Sequence, residues 1–261
     1  MTDEDRISHI LNNLLELASG NFDISDLPDV KNDDIDAIDR GIFMLGEQLK
    51  AEHLKQEQFI IEKETLIKEV HHRVKNNLQV ITSLLSLQSN EIDNDRAKEI
   101  FLNSQNRIKS MAMIHEMLYR TEDFKQIDYN DYTQKLINNL IDLNLNKFEF
   151  KLDIEDIFFN ISTSIPLGLV INEIVTNSIK HGFEDSEKGA ISIVIKNISD
   201  KNYIMKIGDN GIGNIQGWKD KESSSLGLNL IELLIDQLNG TIKMDSKKRG
   251  INYIINFQEL K

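Results

Sequence analysis

The chain has no cysteine and only two prolines among its 261 residues. The absence of cysteine excludes disulfide frameworks, thiolate catalysis and cysteine-based zinc sites, and it fits any redox compartment. Long hydrophobic runs are also missing, because the most apolar segment, SIPLGLVINEIV, is interrupted by Asn172 and Glu173 and nothing approaches the roughly 20 apolar residues of a membrane span. The opening MTDEDRISHI is acidic where a signal peptide is basic. We therefore predict a soluble, cytoplasmic protein with no membrane span in this chain.

Basic charge is scarce as well, with 30 Lys and Arg against 43 Asp and Glu and a formal net charge of −13. Proteins that bind polyanions present a basic surface, so nucleic acid is excluded as the main partner. The 40% of hydrophobic residues is enough for a folded core, and the length suits two or three small domains.

The hydrophobic pattern changes character along the chain. Helical periodicity runs from residue 5 to about 125, with an early break at SGNFDISDLPDVKNDD, which contains Pro28. We predict that the first helix ends near Gly20 and that the second begins near Asp33, where acidic residues favour a helix N-terminus. Runs typical of β-strands, punctuated by glycine, begin only beyond about residue 146. The predicted fold class is therefore α followed by α/β.

The segment KEVHHRVKNNLQVITSLLSLQ predicts an amphipathic helix. On a helical wheel His72 and Asn76 lie on the solvent side, one turn apart, and His71 borders the apolar stripe. The stripe itself falls within about 40° of Val74 to either side and consists of Ile67, Val70, Val74, Leu78, Ile81 and Leu85. A second apolar helix follows the polar break SNEIDNDRA, which predicts a helical hairpin. Two copies of the hairpin would complete a four-helix bundle in a homodimer.

The string HHRVKNNLQ resembles the phosphoacceptor box of sensor histidine kinases related to the HWE class. The resemblance implies that His72, directly before Arg73, accepts the phosphoryl group, with His71 as the alternative. Taken alone, an exposed histidine on a helix is more often without function. Many histidine kinases carry an acid directly after the histidine, where this chain has Arg73. His115, in the second helix, is interpreted as a structural or interfacial residue.

The N-terminal order of helix, ASGNFDISDLP connector and helix IDAIDRGIFMLGEQLK resembles a HAMP module, a helical connector that passes conformational signals in receptors. It departs from that pattern in lacking a proline in the first helix and a preceding transmembrane helix. The resemblance implies a helical input connector over residues 1–58. The alternative is a generic helical hairpin. Residues 59–125 then form the dimerisation and histidine phosphotransfer hairpin.

Two polar residues intrude into the apolar helix predicted over IPLGLVINEIVTNSIKHGF. Glu173 and Asn177 lie one turn apart, and a carboxylate and an amide on one face can order a water or hold Mg²⁺ against phosphate oxygens. Lys180 and His181 follow on the next turn, where they could meet phosphate charge. Further on, the predicted strand NYIMKIGDNGIGN ends in Asp209 and spaced glycines, and SSSLGLNL opens a helix.

In this order the three strings resemble the N, G1 and G2 boxes of the GHKL ATPases, over about residues 128–257. The resemblance implies a Bergerat-type α/β sandwich that binds ATP and Mg²⁺, which we place at residues 126–261. Asp209 would bind the adenine amino group, Asn177 would coordinate Mg²⁺, and residues 214–225 would form the ATP lid. The backbone would approach the nucleotide at Gly211, Gly213, Gly227 and Leu228. One departure is Ile251, where the family usually has threonine.

These features together predict a sensor histidine kinase. ATP would phosphorylate His72, with Glu173 as the catalytic helper, and the phosphoryl group would pass to an aspartate of a response regulator receiver domain. Two alternatives stay open. One is a GHKL-type ATPase in which Glu173 activates water and no phosphohistidine forms. The other is an ATP-gated scaffold without catalysis.

Overall fold

The computed structural model describes residues 2–26, 33–120, 126–141, 148–183, 189–212, 226–245 and 249–260. The chain divides into two compact units, Met1–Ile67 and Lys68–Lys261. The boundary falls inside the long second helix, α2, which spans Asp34–Asn90. None of the helices in these ranges is long and apolar enough to cross a membrane.

The first unit contains helix α1 (Asp3–Ser19) and the first part of α2. Thr2 and Asp5 form a capping box that satisfies the amides at the start of α1. Gly20 ends the helix in the left-handed conformation, with φ 87°, which glycine adopts without steric cost. The predicted end of the first helix is confirmed, and α2 begins one residue after the predicted start.

A buried arginine joins the two helices of this unit. Arg6 is fully buried, and its guanidinium donates to both oxygens of Asp33 at 2.5 and 2.7 Å and to Asp36. Asp33 also accepts from the backbone amide of Asp36 at 3.1 Å, the geometry of a helix N-cap. The predicted acidic helix start therefore has a second role, since it neutralises a cation that α1 buries.

The second unit opens with the predicted hairpin, formed by the rest of α2 and by α3 (Asp95–Arg120). Its apolar stripe is only partly covered within one chain. Ile67, Val74, Leu78 and Leu85 are half-buried, whereas Val70 and Ile81 are 56% and 44% exposed. A single hairpin thus leaves part of the stripe in contact with solvent.

A mixed α/β domain follows the hairpin. In chain order its elements are β1 (Ile127–Asp128), α4 (Tyr129–Ile141), β2 (Phe148–Ile154), β3 (Phe158–Phe159), α5 (Ile161–His181), β4 (Gly189–Ser199), β5 (Asn202–Asp209), α6 (Leu226–Gln237), β6 (Thr241–Met244) and β7 (Asn252–Gln258). The main sheet has the order β2-β4-β5-β7-β6, in which β2 and β4 are parallel and the other neighbours antiparallel. This architecture confirms the predicted α then α/β fold class.

Strand β1 begins earlier than the predicted onset of β structure near residue 146. It pairs over two residues with β3 in a separate antiparallel ladder, and two residues are too few to show a period-2 pattern. In the main sheet the pattern is clear, because Ile191, Ile193 and Ile195 of β4 are fully buried and alternate with partly exposed residues. They share one core with buried residues of α4, α5 and α6.

Candidate active site

A cavity of about 500 Å³ lies in the second unit, between α3, α5, the start of α6 and the end of the sheet. Residues from the N, G1 and G2 boxes of the α/β half all line this cavity. Seven of the predicted site residues line it, namely Glu173, Asn177, Lys180, His181, Asp209, Gly227 and Leu228. Residues 50 or more positions apart in the sequence are thus brought to one site.

Asp209 ends β5 with a buried carboxylate. Its Oδ2 accepts from the Ser178 hydroxyl at 2.6 Å, and its Oδ1 accepts from the backbone amides of Gly211 at 2.9 Å and Ile251 at 3.3 Å. An ionised carboxylate offers about four acceptor positions. These three contacts leave one position for a donor on a ligand in the cavity.

The backbone of Asp209 is fixed from the opposite side by the turn before β7. Its amide donates to the Ile251 carbonyl at 3.0 Å, and its carbonyl accepts from the Asn252 side chain at 3.0 Å. Gly250 has φ +81°, and a Cβ there would lie 2.2 Å from the Asp209 carbonyl oxygen, so this position requires glycine. Ile251, at the position where the resemblance leads us to expect threonine, makes these contacts to Asp209 through its backbone.

Tyr253 also lines the cavity. Burial, and after it the charge of Asp209, raise the pKa of Tyr253 to about 12. The phenol therefore stays neutral near Asp209 and adds no negative charge to the cavity.

Gly211 lets two loops meet at the end of α5. A Cβ at Gly211 would lie 1.8 Å from the Gly182 carbonyl oxygen, and the Ile212 amide donates to that oxygen at 2.8 Å. The close approach at Gly211 in this structure is between two stretches of protein backbone, and its predicted approach to a nucleotide stays a prediction. Gly213 and the predicted lid at 214–225 lie outside the described residues.

Glu173 is paired with an arginine that the sequence analysis did not single out. Arg107 of α3 donates from Nε to Oε1 at 2.7 Å and from Nη2 to Oε2 at 2.8 Å. The two side chains are 17% and 9% exposed, and the bond to Glu173 raises the pKa of Arg107. Both oxygens of the predicted catalytic carboxylate are therefore occupied by one cation of the hairpin.

Lys180 is also held by α3. Its Nζ donates to Glu99 Oε1 at 2.8 Å and to Asn103 Oδ1 at 2.7 Å, and the Lys180 bond lowers the pKa of Glu99. The hairpin contributes one wall of the cavity, formed by Arg96, Glu99, Ile100, Asn103, Ser104 and Arg107. We name these six residues the α3 wall.

The predicted phosphoacceptor lies elsewhere in the hairpin, at a smaller cavity of about 220 Å³. His72 is exposed, its Nδ1 lies 3.3 Å from the Asn76 amide nitrogen, and its ring centre is 5.8 Å from that of Tyr119. His71 is half-buried and faces His115, with 3.0 Å between their Nδ1 atoms. The two neighbouring histidines thus occupy the different helix faces that the helical wheel predicts.

Carboxylates near His72 are engaged with cations of the hairpin. Arg73 bonds Glu69 at 2.7 Å, and Lys75 bonds Glu116 of α3 at 3.2 Å. Glu116 lines the same small cavity as His72. These two carboxylates are therefore already paired with cations of the hairpin.

Two family profiles match the chain. Residues 69–144 match the family described as histidine kinase. Residues 162–260 match the family described as histidine kinase-, DNA gyrase B- and HSP90-like ATPase. The first region contains the His72 cavity, and the second contains the N, G1 and G2 strings. The chain therefore holds a histidine kinase phosphoacceptor region followed by an ATPase domain of that type.

Curated relatives agree with these matches. The sensor histidine kinase PdtaS of Mycobacterium tuberculosis is 28% identical over 206 residues, which cover 77% of this chain and 41% of PdtaS. The blue-light-activated histidine kinase 2 of Erythrobacter litoralis is 22% identical over 195 residues, 72% of this chain and 55% of that protein. This chain thus spans about half the length of these relatives or less.

A solved structure shows the same fold. The histidine kinase domain of a blue-light-activated histidine kinase from Erythrobacter litoralis superposes with a TM-score of 0.55 at 15% identity, covering 76% of this chain and 94% of that domain. The helical hairpin followed by a mixed sheet is therefore the arrangement of a known histidine kinase domain.

Proposed function

We propose that this chain, which carries the phosphoacceptor and ATPase domains of a histidine kinase, transfers the γ-phosphoryl group of ATP to a ring nitrogen of His72. The observation that carries the proposal is the assembly of seven residues from three separate boxes around one cavity of about 500 Å³, in a chain whose hairpin presents an exposed histidine. The reaction consumes ATP, so we place these domains in the cytoplasm.

The cavity carries groups that suit a nucleotide. Asp209 has an acceptor position left for the adenine amino group, and neutral Tyr253 lines the same cavity. Lys180 supplies positive charge with His181 next to it in the sequence, and Gly227 and Leu228 belong to the first turn of α6. Backbone amides at a helix N-terminus favour an anion, so we assign the phosphates to the start of α6.

Asn177 is the residue we assign to Mg²⁺. Among the described residues no group of three or more His, Asp or Glu side chains could hold a metal by itself. Mg²⁺ keeps several waters and binds through one or two protein ligands together with substrate phosphates, so the amide oxygen of Asn177, which lines the cavity, can serve as its protein ligand. Bound there, the ion would neutralise phosphate charge, while Asn177 would fix its position on α5.

Neutral imidazole is a suitable acceptor, because one ring nitrogen carries a lone pair near pH 7. In the transfer a bond forms between that nitrogen and the γ-phosphorus, the bond from the γ-phosphorus to the bridging oxygen breaks, and ADP leaves with the electron pair. The ring N–H proton then passes to solvent or to a carboxylate. We assign that assistance to Glu173, because Arg73 replaces the usual neighbouring acid.

We further propose that His72 passes its phosphoryl group to an aspartate of a response regulator receiver domain, and that the protein acts as a homodimer. Support for the dimer comes from the hairpin, where Val70, Val80, Leu84 and Leu87 of α2 are 54–66% exposed. Apolar side chains at this spacing on one hairpin need a second apolar surface. A second copy of the hairpin supplies it in a four-helix bundle.

The first unit is proposed to be a HAMP-like signalling connector. Its order of helix, connector and helix supports this role, and so does the exposure of Ile7, Leu11 and Leu15 on α1 at 49%, 55% and 70%. Exposed apolar side chains on a two-helix unit indicate that its core is incomplete, and a second copy of the unit would complete it.

Labelling with [γ-³²P]ATP tests the function. The wild type is expected to acquire protein-bound label that is lost in acid and retained in base, as a phosphoramidate is. Release of inorganic phosphate without protein-bound label would instead support the GHKL-type ATPase alternative.

A further inference from the structure

The two oxygens of the Asp209 carboxylate have different partners. Oδ1 accepts two backbone amides, from Gly211 at 2.9 Å and from Ile251 at 3.3 Å. Oδ2 accepts the Ser178 hydroxyl at 2.6 Å, its one hydrogen bond from the described residues. A carboxylate oxygen offers two acceptor positions. The position that remains for a ligand is therefore on Oδ2, the oxygen that Ser178 holds.

A glycine borders this oxygen inside the cavity. A Cβ at Gly182 would lie 3.3 Å from Oδ2 of Asp209 and 2.6 Å from the Ser178 carbonyl oxygen. All three residues line the 500 Å³ cavity. Because position 182 has no side chain, the space next to Oδ2 stays available to a ligand.

The Ser178 hydroxyl bonds another element, whereas other helical hydroxyls of the chain bond their own helix. Thr82, Ser104 and Thr133 each donate to the carbonyl four residues earlier, at 2.7 to 2.9 Å. A serine or threonine inside a helix can generally make that local bond. Ser178 donates instead from α5 to the end of β5, and 2.6 Å is a typical length for a hydroxyl bonded to a charged oxygen. The bond therefore acts on the carboxylate.

We propose that Ser178 is a positioning residue for purine recognition, which holds the Asp209 carboxylate so that Oδ2 receives the 6-amino group of a purine nucleotide. The inference rests on the proposed function, in which Asp209 binds the adenine amino group. The terminal torsion of an aspartate is broad, so the carboxylate needs partners on both oxygens to stay in one orientation. An acceptor that is ordered before binding lowers the entropy cost of binding.

This role depends on the group at position 6 of the purine. ATP carries an amino group there, which can donate to Oδ2. Purine riboside triphosphate carries only hydrogen there, so its binding does not depend on the orientation of Asp209. Loss of the Ser178 hydroxyl should therefore weaken the binding of ATP alone. If Ser178 served only the packing of α5, its loss would weaken both nucleotides equally.

The test compares Ser178→Ala with the wild type and with a matched control, Ser164→Ala. Ser164 is a buried serine of the same helix, and its hydroxyl donates to the Phe159 carbonyl at 3.3 Å. The affinities of ATP and of purine riboside triphosphate are measured by calorimetry on the full chain. We expect ATP to bind about 5- to 10-fold more weakly to Ser178→Ala, the effect of one typical hydrogen bond. The affinity for purine riboside triphosphate, and both affinities of Ser164→Ala, should stay unchanged.

Unchanged ATP binding in Ser178→Ala, or an equal loss for both nucleotides, overturns the proposal while the wild type still prefers ATP. If the wild type binds both nucleotides equally, the assignment of Asp209 to the amino group fails, and the proposal fails with it. Labelling of His72 with ATP tests the kinase function independently of this preference.

A second variant covers the case in which Ser178→Ala does not fold. Ser178→Cys keeps nearly the same side-chain size, but a thiol is only a weak donor. It should show a smaller loss of ATP affinity, again with no change for purine riboside triphosphate. A Ser178→Cys protein with the melting temperature and the ATP affinity of the wild type overturns the proposal.

Discussion

The Nδ1 atoms of His71 and His115 lie 3.0 Å apart and connect α2 to α3 one residue before the proposed phosphoacceptor. One Nδ1 must donate and the other accept, so the accepting ring is neutral and carries its proton on Nε2. Burial lowers the pKa of His71. Burial, and after it the proximity of His71, lower the pKa of His115. The contact therefore needs at least one neutral ring, and it is lost when both rings are charged.

This pair predicts that the hairpin loses stability in acid. Both histidines have a lower pKa folded than unfolded, so below about pH 6.5, the ordinary value for histidine, the unfolded chain binds more protons. Stability contributed by the pair is complete above that pH and falls as the pH drops toward the folded pKa values. Thermal melting at pH 7.5 and 5.5 should show a larger loss for the wild type than for His71→Gln/His115→Gln. An equal loss in both proteins would assign the acid sensitivity to other groups.

The acceptor is tested by replacing each neighbouring histidine. His72→Gln should abolish protein-bound label with the fold retained, because His72 is exposed and Gln is tolerated on a helix surface. His71→Gln should keep the label, since His71 is half-buried and its ring contacts His115. Label that persists in His72→Gln and disappears in His71→Gln would transfer the assignment to His71.

The adenine end is tested at Asp209. Asp209→Asn places an amide among donors from Ser178, Gly211 and Ile251, so one buried contact and the bond to the adenine amino group are lost. We expect ATP binding to weaken by roughly 1 to 3 kcal/mol, the cost of leaving a buried polar group unpaired. Asp236→Asn, at an exposed position of α6, is the matched control. ATP affinity equal to the wild type would remove Asp209 from the site.

The sequence predicts the residues of the N, G1 and G2 boxes better than it predicts the contacts that other elements make with them. Glu173, Asn177 and Asp209 stand out because polar residues interrupt apolar periodicity, and that signal is local. The structure places all three at one cavity. Gly250 has a weaker local signal in the sequence, since it is marked only by the pair Arg249-Gly250 before a predicted strand.

The contacts of the α3 wall have no such signal. Arg107 occupies an ordinary polar position of an amphipathic helix, and its partner Glu173 is 66 residues away. Pairings between domains depend on how the domains pack, which one-dimensional periodicity does not contain. For the same reason the sequence predicts the exposed face of His72 but not the contact between His71 and His115.

The role of Glu173 separates the two enzyme functions most sharply. If Glu173 activates water, Glu173→Gln should stop phosphate release, and no protein-bound label forms in either protein. If Glu173 assists attack by His72, the variant should form phosphohistidine more slowly, by on the order of 10² to 10⁴, the usual contribution of a positioned base. We expect the smaller end, because the attacking nitrogen of a neutral imidazole already has a lone pair. The defect should be greatest below about pH 6.5, where free histidine becomes protonated.

The pairing with Arg107 requires a second comparison, because Glu173→Gln also removes the partner of Arg107. Measuring the effect of Glu173→Gln in the Arg107→Ala background removes that contribution, as a double-mutant cycle does. The loss of rate should persist there, since it comes from the carboxylate itself and not from its pairing with Arg107. Equal labelling rates for Arg107→Ala with and without Glu173→Gln, from pH 6 to 8, would refute a catalytic role for Glu173 and leave the carboxylate as a partner of Arg107 alone.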